Sequence, residues 1–133
     1  MVELAMALPL LLLILVGIFE FARAYSIKQS LVNAAREGAR AAVVQNPIDV
    51  TIVESAVRNY LTSNNIAEDS INITAADQTG TAKALGAVNT GDAISVAVFD
   101  RYDFVLVGPV MGLFGGSFTN GVNLGSRATM RKE

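Results

Sequence analysis

Residues 4–19 read LAMALPLLLLILVGIF and carry no charged side chain. Glu3 precedes this run and Glu20 follows it, while apolar neighbours at both ends extend it toward the roughly 20 residues that cross a bilayer. The run therefore predicts a helix that inserts into a membrane.

A cleaved signal peptide is the alternative interpretation of this run. No basic residue stands before it, however, and no small-x-small cleavage site follows directly after it. The next residues, 21–44, are mostly good helix formers with one glycine, Gly38. We therefore expect one retained helix from about Val2 to Val44, roughly 64 Å long at 1.5 Å per residue.

This helix suggests a division of the chain into three parts. Residues 1–22 form a transmembrane or filament-core segment, residues 23–45 continue the same helix with an amphipathic pattern, and residues 46–133 form an exposed head. Large apolar residues in the first part and small residues in the second are suited to close helix packing. The expected packing residues are Leu4, Leu8, Leu11, Leu12, Leu15, Gly17, Phe21, Leu31, Ala35, Gly38 and Ala42.

Two residues in the apolar run admit two interpretations each. Glu3 is either an interfacial acid favoured by the helix dipole, or a buried carboxylate that needs a positive partner such as a neighbouring subunit's N-terminal amine. Pro9 removes a backbone donor and crowds the carbonyl of Ala5. It predicts either a kink near that turn or an ordinary transmembrane proline relieved by its neighbours.

The head pattern predicts an α+β fold. A second helix is expected over residues 47–63, begun by Asn46-Pro47, with Val53, Ala56, Val57, Tyr60 and Leu61 buried. Strands are expected at residues 70–75, 93–99 and 122–131, with a loop at 77–92 and a loop or single helical turn at 105–116. In the last strand we expect Val122, Leu124, Ala128 and Met130 to face inward. The prediction is an antiparallel sheet of three to four strands.

Composition argues against catalysis. The 133 residues include no cysteine and no histidine, which removes thiolate nucleophiles, Cys/His zinc sites and imidazole bases. The net charge of −2 gives no basic field for nucleic acid. Asp100 and Asp103 flank a strand end, but without a ligand loop they favour a solvated turn over a cation site. We expect no enzyme activity, cofactor, metal or small-molecule substrate.

Four short segments of the long helix form a set of motifs: VELA at residues 2–5, LPLLL at 8–12, FEFAR at 19–23 and NAAREGAR at 33–40. They resemble, in this order, the opening, the core, a following step and the most specific signature of the TadE-like pseudopilins of tight-adherence (Tad, Flp-type) pili. The head resembles the family only in pattern, including ATMR at residues 128–131.

The resemblance implies a pilin-like subunit that is processed by a prepilin peptidase and held in the inner membrane. Pilus assembly machinery would then move it into an extracellular pilus with its head exposed. It implies self-association, or association with related pilins, through the N-terminal helix, and assembly or register roles for Glu3, Pro9, Glu20 and Arg23. The alternative is a minor pseudopilin or accessory anchor that primes assembly.

Overall fold

The chain is an α+β protein, as the sequence predicts. The computed structural model describes residues 2–107, 109, 112 and 121–133, with side chains from Ala7 onward. The elements, in chain order, are α1 (Val2–Val44), α2 (Val50–Ser63), β1 (Ser70–Ala76), β2 (Ala82–Lys83), a 3-10 turn (Leu85–Ala87), β3 (Ala93–Tyr102) and β4 (Val122–Arg131). The bounds of α1 agree with the predicted helix. The predicted loop or turn at 105–116 lies largely outside the described residues.

The described chain forms two compact units. The first contains Met1–Ile27 and Tyr102–Val122, and the second contains Lys28–Arg101 and Asn123–Glu133. The second unit therefore holds the later part of α1, all of α2 and most of the sheet. The predicted three-part division at residues 22 and 45 stays a prediction.

The sheet has four strands in the order β2-β1-β3-β4. β1 pairs antiparallel with β3 along its whole length, and with β2 only through Ala75 and Ala76. β4 is also antiparallel to β3, because contacts between the two strands run in opposite order. The Ser95 hydroxyl bonds the Thr129 hydroxyl, while the Lys132 N–H donates to the Asp92 carbonyl at 2.9 Å.

The core of the second unit lies between its helices and one face of the sheet. In α2 the fully buried residues recur every fourth position, as one helical face requires. In β3 they recur every second position, as one face of a strand requires. The fully buried residues are Leu31, Ala34, Ala35, Ala39 and Ala42 of α1, Val53, Val57 and Leu61 of α2, and Ile94, Val96 and Val98 of β3. The predicted apolar face of α2 is confirmed at Val53, Val57 and Leu61, whereas Ala56 and Tyr60 are only half-buried.

The start of α2 differs from the prediction. The helix begins at Val50, not at Pro47, because Asp49 supplies its N-cap. The Asp49 carboxylate accepts from the Thr51 N–H at 2.9 Å and from the Thr51 hydroxyl at 2.6 Å. An acceptor at this position satisfies a donor that the first helical turn leaves unpaired. The Gln45 side chain accepts from the Asp49 N–H at 2.8 Å and helps to fix the turn between the helices.

Two details of the strands also differ. The predicted loop at 77–92 contains the short strand β2, which follows a turn closed by Asp77. Its carboxylate accepts from the Thr79 and Thr81 N–H groups, each at 2.9 Å, and brings the chain back beside β1. Val122, expected to face inward, is 46% exposed because it lies at the first position of β4. Leu124, Ala128 and Met130 are half-buried, as their alternation predicts.

Candidate functional site

The apolar run of α1 is exposed along its described length. From Leu8 to Phe19 the large apolar side chains other than Val16 are between 42% and 68% exposed. By length and composition, α1 from Ala7 onward is apolar enough to cross a membrane. The predicted packing residues Leu8, Leu11, Leu12, Leu15 and Gly17 all lie in this exposed surface.

Pro9 lies inside α1, which remains helical on both sides of it. A bend at this turn stays a prediction, as does any assembly role of the proline. The side chains of Glu3 and Leu4 lie outside the described residues. Their predicted register and packing roles therefore also stay predictions.

The later part of α1 is packed inside the second unit. Leu31, Ala35 and Ala42 are fully buried, and Gly38 is buried among branched side chains. A Cβ atom added at Gly38 would lie 2.5 Å from a methyl carbon of Val57 and 3.1 Å from one of Val96. The small residues thus let α1 approach α2 and β3 closely within one chain. Whether they also contact another subunit stays a prediction.

Glu20, in the first unit, is a buried acid at the end of the apolar run. Its residue surface is only 4% exposed. One carboxylate oxygen accepts from the Tyr102 hydroxyl, and the other accepts from the Leu106 backbone N–H. A buried carboxylate needs such donors, since an unpaired buried charge costs several kcal/mol. The two bonds attach the segment after β3 to α1 and give the acid partners within its own chain.

Tyr102 is a partner of Glu20 that the sequence analysis did not predict. It is 4% exposed, and its ring meets that of Phe104 edge-on at a centroid distance of 5.5 Å. Burial, and then the neighbouring Glu20 carboxylate, raise the pKa of Tyr102 to about 12, so the hydroxyl keeps its proton and can donate it. Glu20 and Tyr102 are 82 positions apart in the sequence, so no local sequence pattern predicts their contact. The signal available was a tyrosine at the end of an apolar strand.

The predicted residues Arg23 and Phe21 occupy exposed positions next to this buried acid. Arg23 is exposed, and its charge acts on the Tyr102 hydroxyl in the direction that lowers its pKa. Phe21 is 72% exposed, and its ring stacks on Tyr25 with a centroid distance of 6.5 Å. The Glu20 region therefore combines a satisfied buried acid with an exposed aromatic and basic surface.

A second polar cluster fixes the end of the sheet in the head. The Asp92 carboxylate accepts from Lys83 Nζ and from the Asn89 N–H, both at 2.7 Å. The hydrogen bond from Lys83, followed by that from Asn89, lowers the pKa of Asp92 from its ordinary value. Lys132 Nζ donates to the Asn46 side chain at 3.2 Å, which joins the end of the chain to the turn after α1. Asp92 and Lys132 are buried, and these contacts give both charged groups hydrogen-bond partners within the head.

Within the described ranges, no three His, Cys, Asp or Glu side chains are placed to hold a metal ion together. The most distinctive surface in this part of the chain is the exposed apolar helix. Fold and surface together define a class of protein with one apolar N-terminal helix, long enough for a membrane, and a small α+β head.

A family model described as TadE-like protein matches residues 1–40. The match covers the apolar run, Glu20 and the NAAREGAR segment, so the resemblance seen in the sequence is confirmed over these residues. No curated protein and no solved structure matches the chain.

Proposed function

We propose that this chain is a structural subunit of a Tad-type surface pilus, assembled through α1 and supporting adhesion. The observation that carries the proposal is the exposed apolar surface from Leu8 to Phe19. The TadE-like match over residues 1–40 supports an association with Tad pili. No catalytic step is assigned to the protein.

The exposed helix requires a non-aqueous environment before and after assembly. Fully burying one Leu, Ile or Phe side chain is worth about 1.5–3 kcal/mol, and nine such exposed side chains lie between Leu8 and Phe19. Lipid tails satisfy this surface while the subunit waits in the inner membrane. In the pilus, the helices of other copies or of related pilins take their place.

Transfer from lipid to a filament core exchanges one apolar environment for another. The hydrophobic effect therefore gives little net drive for this step, and helix packing contributes most of the preference. Assembly machinery is needed to extract the subunit, after a prepilin peptidase has processed it. A buried Glu3 carboxylate would disfavour any register that leaves it without a positive partner.

The contacts of Glu20 support a different role for the second acid. Its carboxylate has donors in Tyr102 and Leu106, so it needs no partner from a neighbouring subunit. We assign Glu20 to the junction between the apolar run and the following residues, where it holds the segment after β3 against α1. Intersubunit charge pairing is then left to Glu3.

Mass spectrometry of filaments sheared from cells tests the proposal. A structural subunit is expected as an abundant component, and its peptides should include residues from the apolar run. Glu3→Gln should reduce the amount of pili, with Glu37→Gln, an exposed acid on the same helix, as the matched control. Normal pilus amounts in Glu3→Gln would contradict the register role.

The same exposed helix is compatible with a minor pseudopilin or an accessory anchor that primes assembly. In that case the sheared filaments contain the chain only in trace amounts, while deletion of its gene still abolishes pili. Abundance in the filament therefore separates the two candidates.

A further inference from the structure

The head sheet has two open edges in the described part of the chain. β4 ends the strand order on one side. On the other side β2 covers only Ala75 and Ala76 of β1, so Ser70–Thr74 border no strand there among the described residues. An open edge presents unpaired N–H and C=O groups that can pair with a strand from another chain.

The β4 edge is long and only locally covered. It has ten residues, whereas short edge strands are a common protection against pairing. Lys28 Nζ donates to the Gly125 carbonyl and covers the edge at that point. Beyond Gly125, the side chains of Arg127, Thr129 and Arg131 are exposed. The charges on these arginines disfavour pairing with a second basic edge.

The exposed charges beside the two open edges are opposite. At the start of β1, Asp69 is exposed, whereas Glu68 is paired with Arg58 and Asp77 closes the turn that leads to β2. Along β4, Arg127 and Arg131 are exposed, whereas Lys132 is buried. Complementary charge guides two surfaces together and opposes like-with-like contacts. A β4 edge is thus matched to a β1 edge and mismatched to another β4 edge.

We propose that a second copy of this chain docks its β1 edge on the β4 edge, so that the head sheets of neighbouring subunits join. The proposal rests on the proposed function and takes the α1 helices of neighbouring copies to be parallel in the filament. β1 and β4 run in the same direction, because each is antiparallel to β3. When copies with parallel helices bring β4 of one head beside β1 of the next, the two strands run parallel.

Such a contact uses two different surfaces, so it leaves a free β1 edge and a free β4 edge on every pair of copies. A head-to-tail contact of this kind propagates into an open helical assembly, as a filament requires, when the rotation per copy does not close a ring. Pairing through backbone groups supplies the attraction, and the opposite charges select the partner edge. The heads then reinforce an assembly that the apolar helices begin.

Disulfide trapping tests this contact, since the chain contains no cysteine of its own. Each double variant carries two cysteines, one on β1 in place of Asn72 or Thr74 and one on β4 in place of Arg127 or Thr129. All four positions are exposed. In one chain, Thr74 and Thr129 flank Ser95 from opposite sides, so they lie two strand spacings apart, about 10 Å. That distance is too long for a disulfide within the chain.

Oxidised filaments from at least one double variant should give a ladder of covalent oligomers on a denaturing gel. The four single-cysteine variants are the matched controls and should give no ladder. A dimer from a single β4 cysteine would show a β4–β4 contact and overturn the proposal. Filaments of normal yield without a ladder, or cross-linking only to a different protein, would also overturn it while leaving the proposed function intact.

A charge substitution gives a second readout that does not depend on cysteine. Arg127→Glu combined with Arg131→Glu should weaken head contacts and lower filament yield, and Asp69→Lys in the same chain should restore part of it. Unchanged yield in the arginine variant overturns the proposal. If the unmodified chain never enters filaments, the proposed function fails and this inference fails with it.

Discussion

Gly38 occupies a crowded position on α1, where the helix meets both α2 and the sheet. The carbons nearest to a Cβ atom added at this position belong to Val57 and Val96, whose branched side chains have little freedom to move away. Gly17, on the same helix, has nothing within 4 Å of the corresponding position. Close packing therefore requires a glycine at position 38 but not at position 17.

Substitution of Gly38 should therefore destabilise the head, although alanine is the better helix former. For Gly38→Ala we expect a loss of about 1–3 kcal/mol from overpacking, observed as a lower melting temperature of the full chain in detergent. Gly17→Ala is the matched control and should leave the melting temperature of the head unchanged or slightly raised. Equal melting temperatures for the two variants would contradict the close approach of α1 to α2.

Asp92 links stability of the head to pH. Its pKa in the folded chain is lowered by the Lys83 hydrogen bond, so the charged form is favoured by folding. This stabilisation is complete above the unfolded pKa of about 3.9 and is lost as the pH falls through the lower folded pKa. Asp92→Asn should be less stable than the unmodified chain at pH 7, and the difference should shrink below about pH 4.

Melting temperatures measured between pH 7 and pH 2 check this expectation. Lys83→Met should reduce the same pH-dependent difference, since it removes the partner. Asp69→Asn, an exposed carboxylate, serves as the control. A constant difference between Asp92→Asn and the unmodified chain across this range would rule out the assigned ion pair.

The two ends of α1 lie in different environments. Its apolar start is exposed, and its later part is buried inside the second unit. Both environments follow from composition, because large aliphatic residues are followed by a stripe of alanines and Gly38 at helical spacing. Hydrophobicity and helix propensity were therefore sufficient to predict the element and its bounds.

The link between α1 and the residues after β3 should depend on Tyr102. Tyr102→Phe removes one of the two hydrogen-bond donors to the Glu20 carboxylate. Leaving a buried polar group without such a donor costs about 1–3 kcal/mol of folding free energy. We expect the Leu106 amide to exchange with solvent faster in hydrogen-exchange measurements. Tyr60→Phe, a half-buried tyrosine of α2, is the matched control. Unaltered Leu106 exchange in Tyr102→Phe would contradict a shared Glu20 site.

For the whole molecule, the sequence predicted the α+β class, the long helix and the main strands, because these depend on local periodicity. It missed the start of α2 and the strand β2, which depend on side-chain acceptors at Asp49 and Asp77. It also missed the partner of Glu20, since Tyr102 lies far away in sequence and reaches the acid only through the fold. Local patterns specify elements, whereas contacts between distant residues require the tertiary structure.

In the proposed function, the apolar start of α1 is kept in the mature protein and packs against other subunits. A photo-crosslinking residue placed at Leu12, an exposed position of the apolar run, tests it in intact cells. We predict a covalent adduct between this chain and another pilin subunit in the sheared filament fraction, and none for a probe at Asn59, an exposed position of α2. A secreted, monomeric product that begins after Phe21 would contradict the claim.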